Sequence, residues 1–138
     1  MLRLALLLLA PTLAGCPCNT AGCADTLTLA FARDQLTPGP WQATVVVDGF
    51  ELSCPFTLDA PLPGTETEGD THCLTEWTDD EVLVSFLVSD RVPQLLEVEV
   101  AFADDRPQTQ LVYVPAPLEV NPLGCSPCSA WSTDVDLD

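Results

Sequence analysis

Asp48-Gly49 sits between two runs in which apolar residues occupy every second position: Trp41, Ala43, Val45 and Val47 before it, and Phe50, Leu52, Cys54, Phe56 and Leu58 after it. A period of two puts such residues on one face of an extended chain. Asp-Gly accepts the positive φ angles of a type I′ turn, so the stretch is predicted to be a β-hairpin with one apolar face. A hairpin alone is marginal in water. Its apolar face has to be covered, and the rest of the chain has to supply the cover.

The remaining segments have the right pattern for that task. Thr26 to Ala32 alternates through Leu27, Leu29 and Phe31, and Cys73 to Trp77 reads as a short strand. Thr78-Asp79-Asp80-Glu81 has the form of a helix capping box. The run after it is short and β-branched, however, with Val82, Val84, Phe86 and Val88 alternating, so a buried strand is expected instead. Leu96, Val98, Val100 and Phe102 alternate against Glu97 and Glu99; after a polar loop, Thr109 to Val114 is expected to pair with them as a second hairpin. In the last segment Trp131, Thr133, Val135 and Leu137 face one way, and Ser132, Asp134, Asp136 and Asp138 the other. Pro38-Gly39-Pro40 punctuates the chain, and Ala60 to Thr71, rich in Pro, Gly, Thr and acids, reads as an exposed loop. Pro115, Pro117 and Pro122 confine their segment to irregular structure or a sheet edge. The expected fold is all-β, an antiparallel, immunoglobulin-like β-sandwich of seven or eight strands. There is no nucleotide-binding loop and no βαβ unit.

The first residues are of another kind. Arg3 is the only charge before an apolar run of Leu and Ala that reaches Ala14 and contains Pro11. That run is well short of the roughly 20 residues a membrane-spanning helix needs and matches the middle of an export signal. It closes on Leu13-Ala14-Gly15-Cys16, which resembles the lipobox of bacterial lipoproteins. The resemblance implies cleavage between Gly15 and Cys16, with a thioether-linked diacylglyceryl group on Cys16 as the new N-terminus. Two or more acyl chains hold a protein stably on a membrane. The expected organisation is a signal peptide at 1–15, a lipidated, cysteine-rich leader at 16–24 and one domain at 25–138.

Removing fifteen residues leaves 123, a length suited to one domain with a real core. Arg3 leaves with the signal, so the formal charge moves from −17 to −18, and the chain has no lysine. Such a chain repels phosphate backbones, and nucleic acid is excluded as a partner. The expected partners are the membrane, through the anchor, and an envelope protein or glycan.

Of seven cysteines the lipid claims Cys16, leaving Cys18, Cys23, Cys54, Cys73, Cys125 and Cys128. An even set in an exported, oxidising compartment reads as three disulfides. Six cysteines allow fifteen connectivities. The expected pairing joins Cys54 to Cys73, and Cys18 and Cys23 to Cys125 and Cys128, tying the two ends of the domain together.

The chain is similar to a loose group of small, cysteine-rich lipoproteins of unknown function from myxobacteria and their relatives. The residues that carry the likeness are the lipobox, Gly22-Cys23 before a strand, and Pro38 to Trp41 at the entry of another. Val47-Asp48-Gly49 with a cysteine five residues later, and the run Asn121-Pro122-Leu123-Gly124-Cys125-Ser126-Pro127-Cys128, complete the set. The likeness implies an envelope location and this kind of fold; it brings no activity.

Few residues suggest chemistry. Cys125-x-x-Cys128 has the spacing of a thiol-disulfide exchange motif, but it follows Pro122 and Gly124 and opens a strand, which favours a structural role over redox exchange. Zinc is disfavoured because it needs thiolates that an oxidising compartment removes. Asp134, Asp136 and Asp138 are weak calcium candidates that would make this a calcium-stiffened adhesion domain. Calcium wants six to eight oxygens, which a strand supplies poorly. The loop carrying Glu66, Glu68 and Asp70 is no better. His72 is the only histidine and the sole conventional general base near neutrality. Nothing resembles a G-x-S-x-G nucleophile turn. The expectation is a non-enzymatic module without catalytic residues, metal or cofactor.

Overall fold

A computed structural model describes residues 24–59, 64–67, 73–89, 91–120 and 128–137. They form β1 (Asp25–Ala32), β2 (Gly39–Val47), β3 (Phe50–Leu58), β4 (Gly64–Thr67), β5 (Cys73–Trp77), β6 (Glu81–Val88), β7 (Leu95–Phe102), β8 (Gln108–Tyr113), β9 (Leu118–Val120) and β10 (Cys128–Val135), with one 3-10 turn at Arg33–Gln35. The larger sheet runs β4-β5-β6-β1-β10-β9 and the smaller β3-β2-β7-β8. The two pack face to face as a β-sandwich.

The alternation seen in the sequence becomes the division between core and surface. Leu27, Leu29 and Phe31 of β1, Val82, Val84 and Phe86 of β6, and Trp131 and Val135 of β10 line the inner face of the larger sheet. Ala43, Val45, Phe56, Leu58, Leu96, Val98 and Val100 meet them from the smaller one. The 3-10 turn after β1 drops Leu36 into this core at 3% exposure. Outer faces are polar where strands pair. Thr28 and Ser85 share a hydrogen bond of 2.8 Å, and Thr44 and Ser53 one of 2.9 Å, each pair being direct cross-strand neighbours.

The Asp48-Gly49 hairpin forms as expected. Val47 pairs with Phe50, and the turn residues have φ of 50° and 79°. The segment after Thr78 is a strand, β6. Thr78 still behaves as a cap, its hydroxyl accepting from the N–H groups of Asp80 and Glu81 at 3.3 Å. Its own N–H donates to Glu81 O at 2.9 Å, which closes a β5–β6 turn where a helix would have begun.

Three features depart from expectation. The strands number ten among the described residues, because Gly64–Thr67 inside the supposed loop pairs with β5 and Leu118–Val120 pairs with β10. The sandwich is not antiparallel throughout: β1 runs parallel to β10, with Thr26 beside Ala130 and Phe31 beside Val135. Finally, β10 ends at Val135, so Asp136 and Leu137 lie past the strand.

Candidate functional site

Cys54 and Cys73 are joined in a disulfide with their Cα atoms 5.9 Å apart. The hairpin puts Cys54 on the inner face of β3, and Cys73 opens β5, so the bridge ties an edge of the smaller sheet to the larger one. Both residues are buried. The Thr75 hydroxyl, 1% exposed, lies 3.6 Å from Cys54 Sγ and finds its partner there. Cys128, the first residue of β10, is also buried and disulfide-bonded. It opens a strand inside a sheet, not the strand-to-helix turn of a thioredoxin-type exchange site.

Gly15, Cys16, Cys18, Cys23, His72, Cys125 and Asp138 lie outside the described residues, as do Glu68 and Asp70. Asp134 and Asp136 are described and exposed, but the end of β10 separates them. Asp134 stays on the outer face of the strand. Asp136 turns toward Gln35, whose Nε2 donates to Asp136 Oδ1 at 2.5 Å. The Leu137 N–H donates back to Gln35 Oε1 at 3.3 Å, so this carboxylate serves as a latch between the two ends of the domain. Among the described residues no group of three or more His, Cys, Asp or Glu is placed to hold a metal ion.

Asp134 and Asp136 instead line an open cleft of about 470 Å³ where the end of β1, the start of β6 and the end of β10 converge, together with Gln35, Asp80 and Glu81. Its floor is Phe31 and Val135. Four carboxylates and no cation make it a negative basin that draws cations by its field. A second cleft, about 450 Å³, lies between the β2–β3 turn and the end of β6 and is lined by Phe50, Leu52, Leu87 and Val88 with Asp48 and Glu51. A third, about 310 Å³, holds Arg91, Pro93, Tyr113, Pro115, Pro117 and Trp131.

The surface feature that the sequence pattern did not single out is apolar. Leu95 and Tyr113 are direct neighbours across β7 and β8, and Leu111 is the next outward residue of β8. They are 63%, 58% and 72% exposed. Leu111 and Tyr113 alternate with Val112, which is buried, and that departure from polar-outside patterning is the signal available in the sequence. No known family model, curated protein or solved structure matches the chain.

Proposed function

We propose that this chain is a lipid-anchored protein of the bacterial cell envelope, cut between Gly15 and Cys16 and held by the lipid on Cys16. Its domain acts as a binding or structural module and not as an enzyme. The observation that carries this reading is the buried Cys54–Cys73 disulfide between the two sheets. Disulfides of this kind form and persist where the surroundings oxidise, in exported proteins. Export is what the apolar leader and Leu13-Ala14-Gly15-Cys16 call for. The cleft at the ends of β1 and β10 has a polar lining of four carboxylates and one amide, which suits the attraction of cationic groups better than nucleophilic catalysis. The exposed Leu95, Leu111 and Tyr113 on the outer face of β7 and β8 support the binding reading.

Cell fractionation tests the anchor. In a bacterium that processes lipoproteins, the protein is expected in the membrane fraction, extractable with detergent, and Cys16→Ser is expected to release it or leave it unprocessed at the length of the full chain. A native protein found in the soluble fraction, or a Cys16→Ser variant processed and held as before, contradicts the reading.

A further inference from the structure

Among the described residues four strands lie at the edges of the two sheets, and three of them are guarded. β3 carries Glu51 and Pro55, β4 has four residues, and β9 has three and follows Pro115 and Pro117. Charge, proline and shortness are the devices that stop an exposed edge from pairing with another chain. β8 uses none of them: its six residues, Gln108–Tyr113, include no charge and no proline.

Hydrogen-bond alternation shows what this edge offers. In an antiparallel pair every second residue exchanges bonds with its partner, and the residues between point their N–H and C=O groups the other way. The Val114 N–H donates to Gln94 O at 2.8 Å, so in the same phase Val112 and Gln110 bond to β7, and Thr109, Leu111 and Tyr113 face outward. The Thr133 hydroxyl occupies Tyr113 O at 2.7 Å. The backbone groups of Thr109 and Leu111, and the N–H of Tyr113, have no strand beside them among the described residues. Pro55 makes the contrast plain. Counted from the two-residue turn, it lies at an outward-facing position of β3, where it removes the donor that β8 keeps.

β8 packs over β10, and β9 extends the larger sheet one strand beyond it. Tyr113 O meets the Thr133 hydroxyl and Gln110 Nε2 donates to Asp136 O, so β8 runs along the end of β10 and past it. β9 pairs with Cys128–Ala130, at the opposite end of β10, so the inner side of a strand added along β8 would border Asp136 and not β9. The outer side of the added strand would border Leu111 and Tyr113, with Glu97 and Glu99 on β7 beyond. Arg106, in the loop before β8, follows Asp104 and Asp105.

We propose that β8 takes up an extended peptide segment of a partner protein as a fifth strand of the smaller sheet, and that this segment alternates apolar residues with lysine or arginine. The apolar positions cover Leu111 and Tyr113, and the basic ones face Asp136. Main-chain bonds to Thr109 and Leu111 supply affinity, and the alternating side chains supply selectivity. A second copy of this chain is the wrong occupant, because it would bring a further net charge of −17 and no lysine to the same rim. The assignment rests on reading the domain as a binding module.

The test uses the anchored protein extracted from membranes in detergent, with two probes of about eight residues: valine alternating with lysine, and valine alternating with glutamate. The lysine probe is expected to slow amide exchange at Thr109, Leu111 and Tyr113 by at least about tenfold, with an effect that weakens as salt is raised, and the glutamate probe is expected to do nothing. Leu111→Pro removes an N–H that the fold does not use and is expected to abolish the protection. Leu111→Lys, at an exposed position, keeps the backbone donor but removes the apolar cover from the probe's valines, and is expected to weaken binding of the lysine probe about tenfold. No protection at saturating lysine probe, protection elsewhere, or protection unchanged in both variants overturns the proposal. So does edge protection that grows with protein concentration alone, which would make a second copy the occupant. Recovery of the protein from the soluble fraction would overturn the anchor and leave this measurement intact.

Discussion

Ala103 holds φ at 45° in the turn between β7 and β8, where its N–H donates to Pro40 O at 3.0 Å. The left-handed region costs a residue with a Cβ about 1–2 kcal/mol. Glycine avoids that cost but loses about 0.4–1 kcal/mol through the entropy of the unfolded chain. Ala103→Gly is therefore expected to stabilise the domain by about 0.5–1 kcal/mol in urea unfolding. A loss of stability would show that the turn is not strained. Gly39 is the opposite case: its φ is 129°, and an added Cβ would stand 2.9 Å from the Phe102 ring. That ring packs on Trp41 with centroids 5.0 Å apart. Gly39→Ala is expected to destabilise by more than about 1 kcal/mol and to change the near-UV circular dichroism as Phe102 leaves Trp41. In the core, Phe86→Ala is expected to cost about 3–5 kcal/mol, since Phe86 is 1% exposed and nothing nearby can fill its space without moving a strand. The value comes from the same urea experiment.

The Cys54–Cys73 bridge closes the chain between β3 and β5 with a sequence separation of 19. A loop of that size is worth about 3 kcal/mol on the chain-entropy account. Replacing both cysteines with alanine is expected to lower Tm by roughly 10 °C without changing the strand content seen by far-UV circular dichroism. An unchanged Tm would mean that the sheets hold each other without the stitch. The same pair shows how legible the elements were in the sequence. Period-two patterning and Asp48-Gly49 revealed the β2–β3 hairpin, its inward face and hence the inward cysteine. Valines 82, 84 and 88 with Phe86 made β6 a strand despite its capping box. β4 was illegible because Gly64-Thr65-Glu66-Thr67 has no apolar alternation; it is a strand through its backbone bonds to β5. The parallel partnership of β1 and β10 was illegible too, because alternation tells which face of a strand is buried and says nothing of which strand lies beside it. The latch between Gln35 and Asp136 depends on that partnership, so the role of Asp136 was hidden with it.

At the scale of the molecule, the first and last long strands lie side by side in the middle of the larger sheet, so the domain is closed by its own ends. Extending the parallel register of Thr26 and Ala130 by two residues sets Ala24 beside Cys128. The expected link from Cys128 to Cys18 or Cys23 would fasten the leader to the domain just beyond the proposed lipid. The acidity belongs to this scale as well. A net charge of −17 keeps copies of the chain apart, and the proposed strand addition at β8 would bring a basic partner to it. The measurement that tests the central claim most directly is mass spectrometry of membrane-extracted protein, alkylated without reduction and digested to map every cysteine. The account predicts Cys16 as a lipid-modified N-terminus, Cys54 joined to Cys73, Cys128 joined to Cys18 or Cys23, and no alkylated thiol. A chain that still begins at Met1, or one whose Cys125 and Cys128 take up the reagent, would contradict it.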